Sequence, residues 1–169
     1  MTRFNRDIFS LYLRNFVFGV EDSLVSTVGL LSGVAAAGSS SQTVVLTGVI
    51  LIFVEAFSMA VGSFLSEHSV EEFKAHSEVP IGKSVTAGAV MFFSYFVSGF
   101  IPLFPYLIFE LNLAFSISIA LSLLSLFVLG IVSARIFGIS LLRKGLELLV
   151  VGGIAIGVGV VIGRVVQLK

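Results

Sequence analysis

There is no cysteine in these 169 residues, so disulfides and thiolate metal sites are excluded. Charge is scarce too: 12% of the chain is charged, against roughly a quarter in a soluble domain. Ten basic residues balance ten acidic ones, so no overall field points to nucleic acid or to an acidic partner. A cleavable leader is not expected. Arg3, Arg6, Asp7 and Arg14 interrupt the N-terminal segment, and no small-residue cleavage site follows a short apolar core. The chain has no phosphate-binding loop, no nucleophile paired with a base and no Glu-x-x-His pair, so nothing supports an enzyme. No equal-length inverted repeat is visible. What the chain does have is apolar bulk, at 57% hydrophobic, and that makes it a polytopic membrane protein.

The fold expected is all-α, a single transmembrane domain over residues 1–169. Five stretches supply the ~20 apolar residues that a bilayer core requires. They are residues 16–37, 43–66, 84–104, 112–134 and 146–166. Residues 1–15 carry Phe4, Ile8, Leu11 and Tyr12 at helical spacing among arginines, and read either as a short interfacial helix or as a plain basic flank. Gly38-Ser-Ser-Ser-Gln42 reads as a tight polar turn, residues 67–83 as the longest connection, and Pro102 and Pro105 as the end of the third span. A cytosolic N-terminus puts Arg3, Arg6, Arg14, Lys74, Lys83, Arg135, Arg143 and Lys144 on the cytosolic side and leaves Arg164 and Lys169 on the other. That bias is the one the positive-inside rule demands.

Two adjacent acids, Glu21 and Asp22, stand near the start of the first span. A carboxylate at the centre of a membrane helix costs about 2.5–3.5 kcal/mol on insertion scales, less near an end. A chain that keeps one usually holds a cation, a proton or a polar partner for it. Asp22, Ser26, Gly29 and Gly33 share one helix face. That face is polar at one end and small along the rest, so a second helix can approach beside the acid. Glu21 lies about 100° away around the helix, so the two acids cannot line one narrow face. Asp22 is the better candidate for a path because it shares the small-residue stripe.

The second span repeats the pattern with Glu55, Met59, Gly62 and Ser66. At 1.5 Å per residue, Asp22 and Met59 sit at nearly one depth, roughly 10 Å below the cytosolic boundary, with Glu55 a turn deeper. Carboxylates suit hard cations such as Mn²⁺, and an added thioether favours softer first-row metals such as Fe²⁺. The plainer alternative is that Met59 fills a gap in the core and the acids pair with Arg14 or with hydroxyls. If the second helix continues into the cytosol, His68, Glu72 and His76 share a face, with Glu71 beside them. These four could collect metal, or simply form a solvated helix end. In the third span Met91, Ser94, Tyr95, Ser98 and Gly99 read as the bundle face and the phenylalanines as the lipid face.

Three stretches carry a family resemblance. Val17-Phe-Gly-Val-Glu-Asp-Ser-Leu-Val-Ser-Thr27 resembles the first-helix motif of the vacuolar iron transporter family, where Asp-Gly-Leu-Val is usual. Glu55-Ala-Phe-Ser-Met-Ala-Val-Gly-Ser-Phe-Leu-Ser66 is similar to its second-helix Ser-Met-Ala-x-Gly motif, and residues 93–106 resemble its third-helix end. The resemblance implies a homodimer of five-helix protomers exporting Fe²⁺ or Mn²⁺ from the cytosol, in exchange for protons. It implies that Asp22 and Met59 line the ion path at the dimer interface. The metal is cargo, and no resident cofactor is implied.

Three departures are visible. Ser23 replaces the usual glycine. Leu51 stands where a glutamate is frequent, with Glu55 one turn later on the same face. Residues 67–83 are too short for the long glutamate-rich metal-binding insert of some members, which points to a prokaryotic plasma membrane rather than a vacuole. The alternative function is a non-transporting scaffold or metal sensor that keeps the fold.

Overall fold

The computed structural model describes residues 3–167, and their side chains from residue 7. The side chains of Arg3, Phe4 and Arg6, and Lys169, lie outside the described residues. The architecture is five helices: α1 (Arg3–Ala36), α2 (Ser41–Ala75), α3 (Gly82–Ile108), α4 (Leu111–Phe137) and α5 (Leu141–Gln167). All five are long and apolar enough to cross a bilayer, and the described residues contain no strand. This is an integral, multi-pass membrane protein.

Three boundaries differ from the sequence expectation. No break separates an interfacial helix from the first span, because α1 runs through 34 residues. At 1.5 Å per residue that is about 50 Å, well beyond a hydrocarbon core of about 30 Å. Helix α2, at 35 residues, overshoots at the same end and absorbs most of the 67–83 connection. Only residues 76–81 remain as loop, opened by His76 in the left-handed region at φ 52°. Pro102 and Pro105 do not end α3 but lie inside it. Proline removes a backbone donor. Ser118 Oγ of α4 donates to the Pro102 carbonyl at 2.7 Å and ties the two helices at this point.

The turns follow their local chemistry. The first turn ends α1 with Gly38 at φ 73°, and Ser40 caps α2 by accepting from the Thr43 N–H at 3.2 Å. Gly138, at φ 70°, does the corresponding work after α4. Phe109 and Glu110 alone join α3 to α4.

Helix α1 is central and packs on each of the other four. Helix α2 packs chiefly on α3 and only lightly on α1, whereas α5 packs on both α1 and α4. One core cluster (Leu31, Val44, Ile52, Leu103, Tyr106, Ala114) fills the end where α1 meets α2. A second (Leu24, Leu126, Leu129, Leu148) seats α1 on α4 and α5. On α3, Met91, Ser94, Tyr95, Ser98 and Gly99 are buried and Phe93 is exposed. Phe96 instead packs edge-on against Phe53 of α2, with ring centroids 5.0 Å apart.

The α1–α5 seam is backbone against backbone. A Cβ on Gly33 would lie 2.7 Å from the Gly159 carbonyl oxygen, and one on Gly29 3.2 Å from that of Ala155. Added methyls on Gly159 and Gly163 would collide with the carbonyls of Gly29 and Gly33. Such approach is what small residues provide where no hydrophobic force between helices exists. Gly153 and Gly157, also on α5, meet nothing within 4 Å. Gly163→Ala is therefore expected to lower the melting temperature in detergent, at an overpacking cost of about 1–3 kcal/mol. Gly157→Ala should leave it unchanged, and equal melting of the two variants would contradict this seam.

Candidate functional site

Asp22 reaches its position because the Gly29/Gly33 stripe below it is held by α5 while Ser23 and Ser26 are held by α3. Ser23 Oγ donates to the Tyr95 carbonyl at 2.7 Å, and Ser26 Oγ shares a 2.7 Å hydrogen bond with the Tyr95 hydroxyl. Ser23, the departure from glycine, fits because Gly99 lies opposite: a Cβ on Gly99 would be 2.9 Å from the Ser23 hydroxyl. Two serines and a tyrosine thus fix the rotation of α1 against α3.

That rotation aims Asp22 at α2. The Asp22 and Glu55 carboxylates are close enough to repel, and both also act on the Tyr95 hydroxyl. Both acids are half-buried, and among the described residues no Lys, Arg or His lies within ion-pair distance of either. Arg14, an alternative partner in the sequence reading, points elsewhere. It reaches Glu67 at 3.4 Å. Glu21 faces the other side of α1, where its charged neighbours include Lys144 and Glu147 of α5.

Met59, one turn from Glu55 on α2, lines a cleft of about 650 Å³ between α1, α2 and α3. Met91, Asn15 and Ser63 line it as well. Ser63 Oγ donates to Asn15 Oδ1 at 2.7 Å, and Asn15 Nδ2 donates to the Leu11 carbonyl at 3.0 Å. Asn15 and Met91 were not singled out as ligands from sequence. The available signal was the helix face Asn15, Gly19, Asp22, Ser26, which extends the acid's stripe one step further than it was read.

The four residues considered as a cytosolic antechamber do not converge. Glu71 turns to α3, where Lys83 Nζ is 2.6 Å away and Ser84 Oγ donates at 3.2 Å. His68 Nε2 lies 3.4 Å from Glu72 and its ring stacks on Phe64. His76 sits past the helix end and stacks on Phe73. Among the described residues, no three His, Asp or Glu side chains meet as a metal cage within one protomer. Lys83 also reaches Glu67 at 3.4 Å, so Arg14, Glu67, Lys83 and Glu71 tie α1, α2 and α3 together at the end where α1 and α2 overshoot.

The class this defines is a five-helix membrane protein that carries two half-buried carboxylates, Asp22 and Glu55, without an ion-pair partner among the described residues. The VIT family profile matches residues 13–80 and 70–164, nearly the whole length, and the chain belongs to that family. Vacuolar iron transporter homolog 5 of Oryza sativa subsp. japonica is 25% identical over 159 residues, covering 87% of this chain and 76% of the relative. In Arabidopsis thaliana, vacuolar iron transporter homolog 3 is 41% identical over 58 residues and homolog 2 is 38% identical over 68. Those two matches cover 34% and 40% of this chain, and only 29% and 35% of the Arabidopsis proteins.

Tyr95→Phe removes the hydroxyl that Ser26 holds. It should lower stability by about 1 kcal/mol, the ordinary net worth of such a bond. A second, deeper loss should not follow, because the Ser23 bond to the Tyr95 carbonyl is untouched. Thermal melting of Tyr95→Phe against Ser23→Ala separates the two ties, and a Tyr95→Phe protein as stable as wild type would remove the hydroxyl from this account.

Proposed function

We propose that the protein carries a divalent transition metal, Fe²⁺ or Mn²⁺, out of the cytosol along the α1–α2 groove, in exchange for protons. The observation that carries the reading is the pair Asp22 and Glu55, half-buried in membrane helices without a cation beside them. Uncompensated charge at such depth is retained for a purpose. Two carboxylates that repel one another are relieved by one divalent ion, or by protons when the ion has left. Metal and proton then compete for the same oxygens, which is the chemical basis of exchange. Met59 offers a thioether on the cytosolic side of the acids. The relatives are named as vacuolar iron transporter homologs, and that supports a metal cargo here.

A homodimer completes the ligand set. One protomer supplies two acids and a methionine, and among its described residues no three His, Asp or Glu side chains meet. A second copy against the same groove doubles the oxygens.

Orientation follows from charge. Arg14, Lys74, Lys83, Arg135, Arg143 and Lys144 lie at one end of the bundle and Arg164 at the other. The first end is read as cytosolic. With six residues between α2 and α3 there is no room for a long acidic insert. On that ground the membrane is read as a prokaryotic plasma membrane.

The test is flux into proteoliposomes holding a metal-sensitive dye, kept anaerobic, with and without a pH gradient. Wild type is expected to carry Fe²⁺ or Mn²⁺ faster with the gradient. Asp22→Asn and Glu55→Gln should each cut flux by about tenfold or more, the scale of a lost ligand contact. Folded protein that passes no metal would favour a scaffold or sensor. Flux that survives both substitutions would move the path elsewhere.

A further inference from the structure

The cleft between α1, α2 and α3 carries one charged group in its lining, the Arg14 guanidinium. Phe18 and Met59 line the same cleft, one turn from Asp22 and from Glu55. A cation on its way to those carboxylates therefore passes a positive charge. Among the described residues the only ion-pair partner of Arg14 is Glu67, 3.4 Å away across the gap to α2. The Arg14 side chain is 69% exposed. An ion pair so open to solvent adds little to stability. Its larger effect is on the field in the cleft, which low-dielectric walls concentrate. The other cation beside Glu67 has an acid of its own: Lys83 lies 3.4 Å from Glu67 but 2.6 Å from Glu71. Loss of the Glu67 charge thus leaves Arg14 without an answering acid and Lys83 still with one.

We propose that Glu67 makes this cleft passable to cations by cancelling the charge of Arg14 at its mouth. The proposal rests on the transport reading above and names what controls entry to that path. Coulomb repulsion scales with the charge of the ion, so a divalent cation meets an uncancelled guanidinium with twice the penalty of a monovalent one. The pair reads charge and not the identity of the metal, so Fe²⁺ and Mn²⁺ are affected alike. Glu67 acts through Arg14 and need not touch the ion, which makes it a positioning residue and not a ligand. The two roles separate cleanly. A lost ligand stays lost whatever stands at residue 14, whereas a lost counter-charge is made good by removing the charge it answered.

In anaerobic proteoliposomes Glu67→Gln should raise KM for Fe²⁺ and for Mn²⁺ by about tenfold with kcat held, the scale of one added charge at close range. The double variant Arg14→Gln/Glu67→Gln should return KM to the wild-type value. A Glu67→Gln protein with unchanged KM overturns the proposal. So does a double variant as poor as Glu67→Gln, which is the mark of a lost ligand or of a lost tie between helices. A second readout needs no turnover. The chain has no cysteine, and a Cβ on Gly62, which lines the cleft, would meet nothing within 4 Å. Gly62→Cys is therefore a single thiol that can be labelled in detergent with a cationic and with an anionic methanethiosulfonate. The cationic-to-anionic rate ratio should fall by about tenfold on adding Glu67→Gln and recover on adding Arg14→Gln as well. A ratio that ignores both substitutions overturns the charge filter. Wild type that passes no metal defeats the transport reading, and the labelling ratio then decides alone whether the mouth discriminates by charge.

Discussion

The approach of α1 to α5 leaves no space for a side chain between them, and the position of the acids follows from it. Gly29 and Gly33 meet Ala155, Gly159 and Gly163 through their backbones, so α1 can neither rotate nor slide without a carbonyl striking a Cα. In water such a seam would be minor beside the hydrophobic effect. In lipid, where apolar side chains gain nothing by leaving their surroundings, close packing is the main attraction available. The seam fixes α1 on one side, and the serine–tyrosine bonds to α3 fix it on another. Only the remaining face, carrying Asp22, is left toward the lightly packed α2.

That arrangement separates two acids that are neighbours in sequence. Asp22 joins Glu55 and the Tyr95 hydroxyl, in a setting without a cation. Glu21 lies in the field of Lys144 and Glu147, which pair with each other at 2.8 Å. Two carboxylates one position apart are thus turned to different helices, Glu21 toward α5 and Asp22 toward α2.

Much of this was legible in the chain itself. Five apolar runs gave five helices, because in a bilayer every backbone group must be satisfied within its own segment. The polar turn after the first span and the buried polar face of the third followed from composition alone. Helix lengths were less legible. The overshoot of α1 and α2 is polar, and it is held by Arg14, Glu67, Lys83 and Glu71, contacts that come from three different helices. The prolines misled because α3 continues through both of them, packed on α4, where Ser118 donates to the Pro102 carbonyl. Periodicity put Asp22 and Glu55 on stripes, but it names a face and not the neighbour across it. Asn15 and Met91 therefore stayed outside the site until α1 and α3 were seen together. The antechamber dispersed because Glu71 had a lysine one helix away and because His76 terminates the helix instead of continuing its face.

The glycine seam has a consequence for biosynthesis. Its two halves are the first and the last of the five helices to leave the ribosome. Helix α1, with two acids in its membrane portion, must wait in or beside the translocation machinery, without its closest neighbour, while the other four helices are made. Until α5 arrives, only the serine–tyrosine bonds to α3 hold the rotation that sets Asp22 apart from Glu21. The step that closes the seam is thus the last of the five, and a chain halted before α5 would hold both carboxylates in the membrane with α1 braced on one side alone.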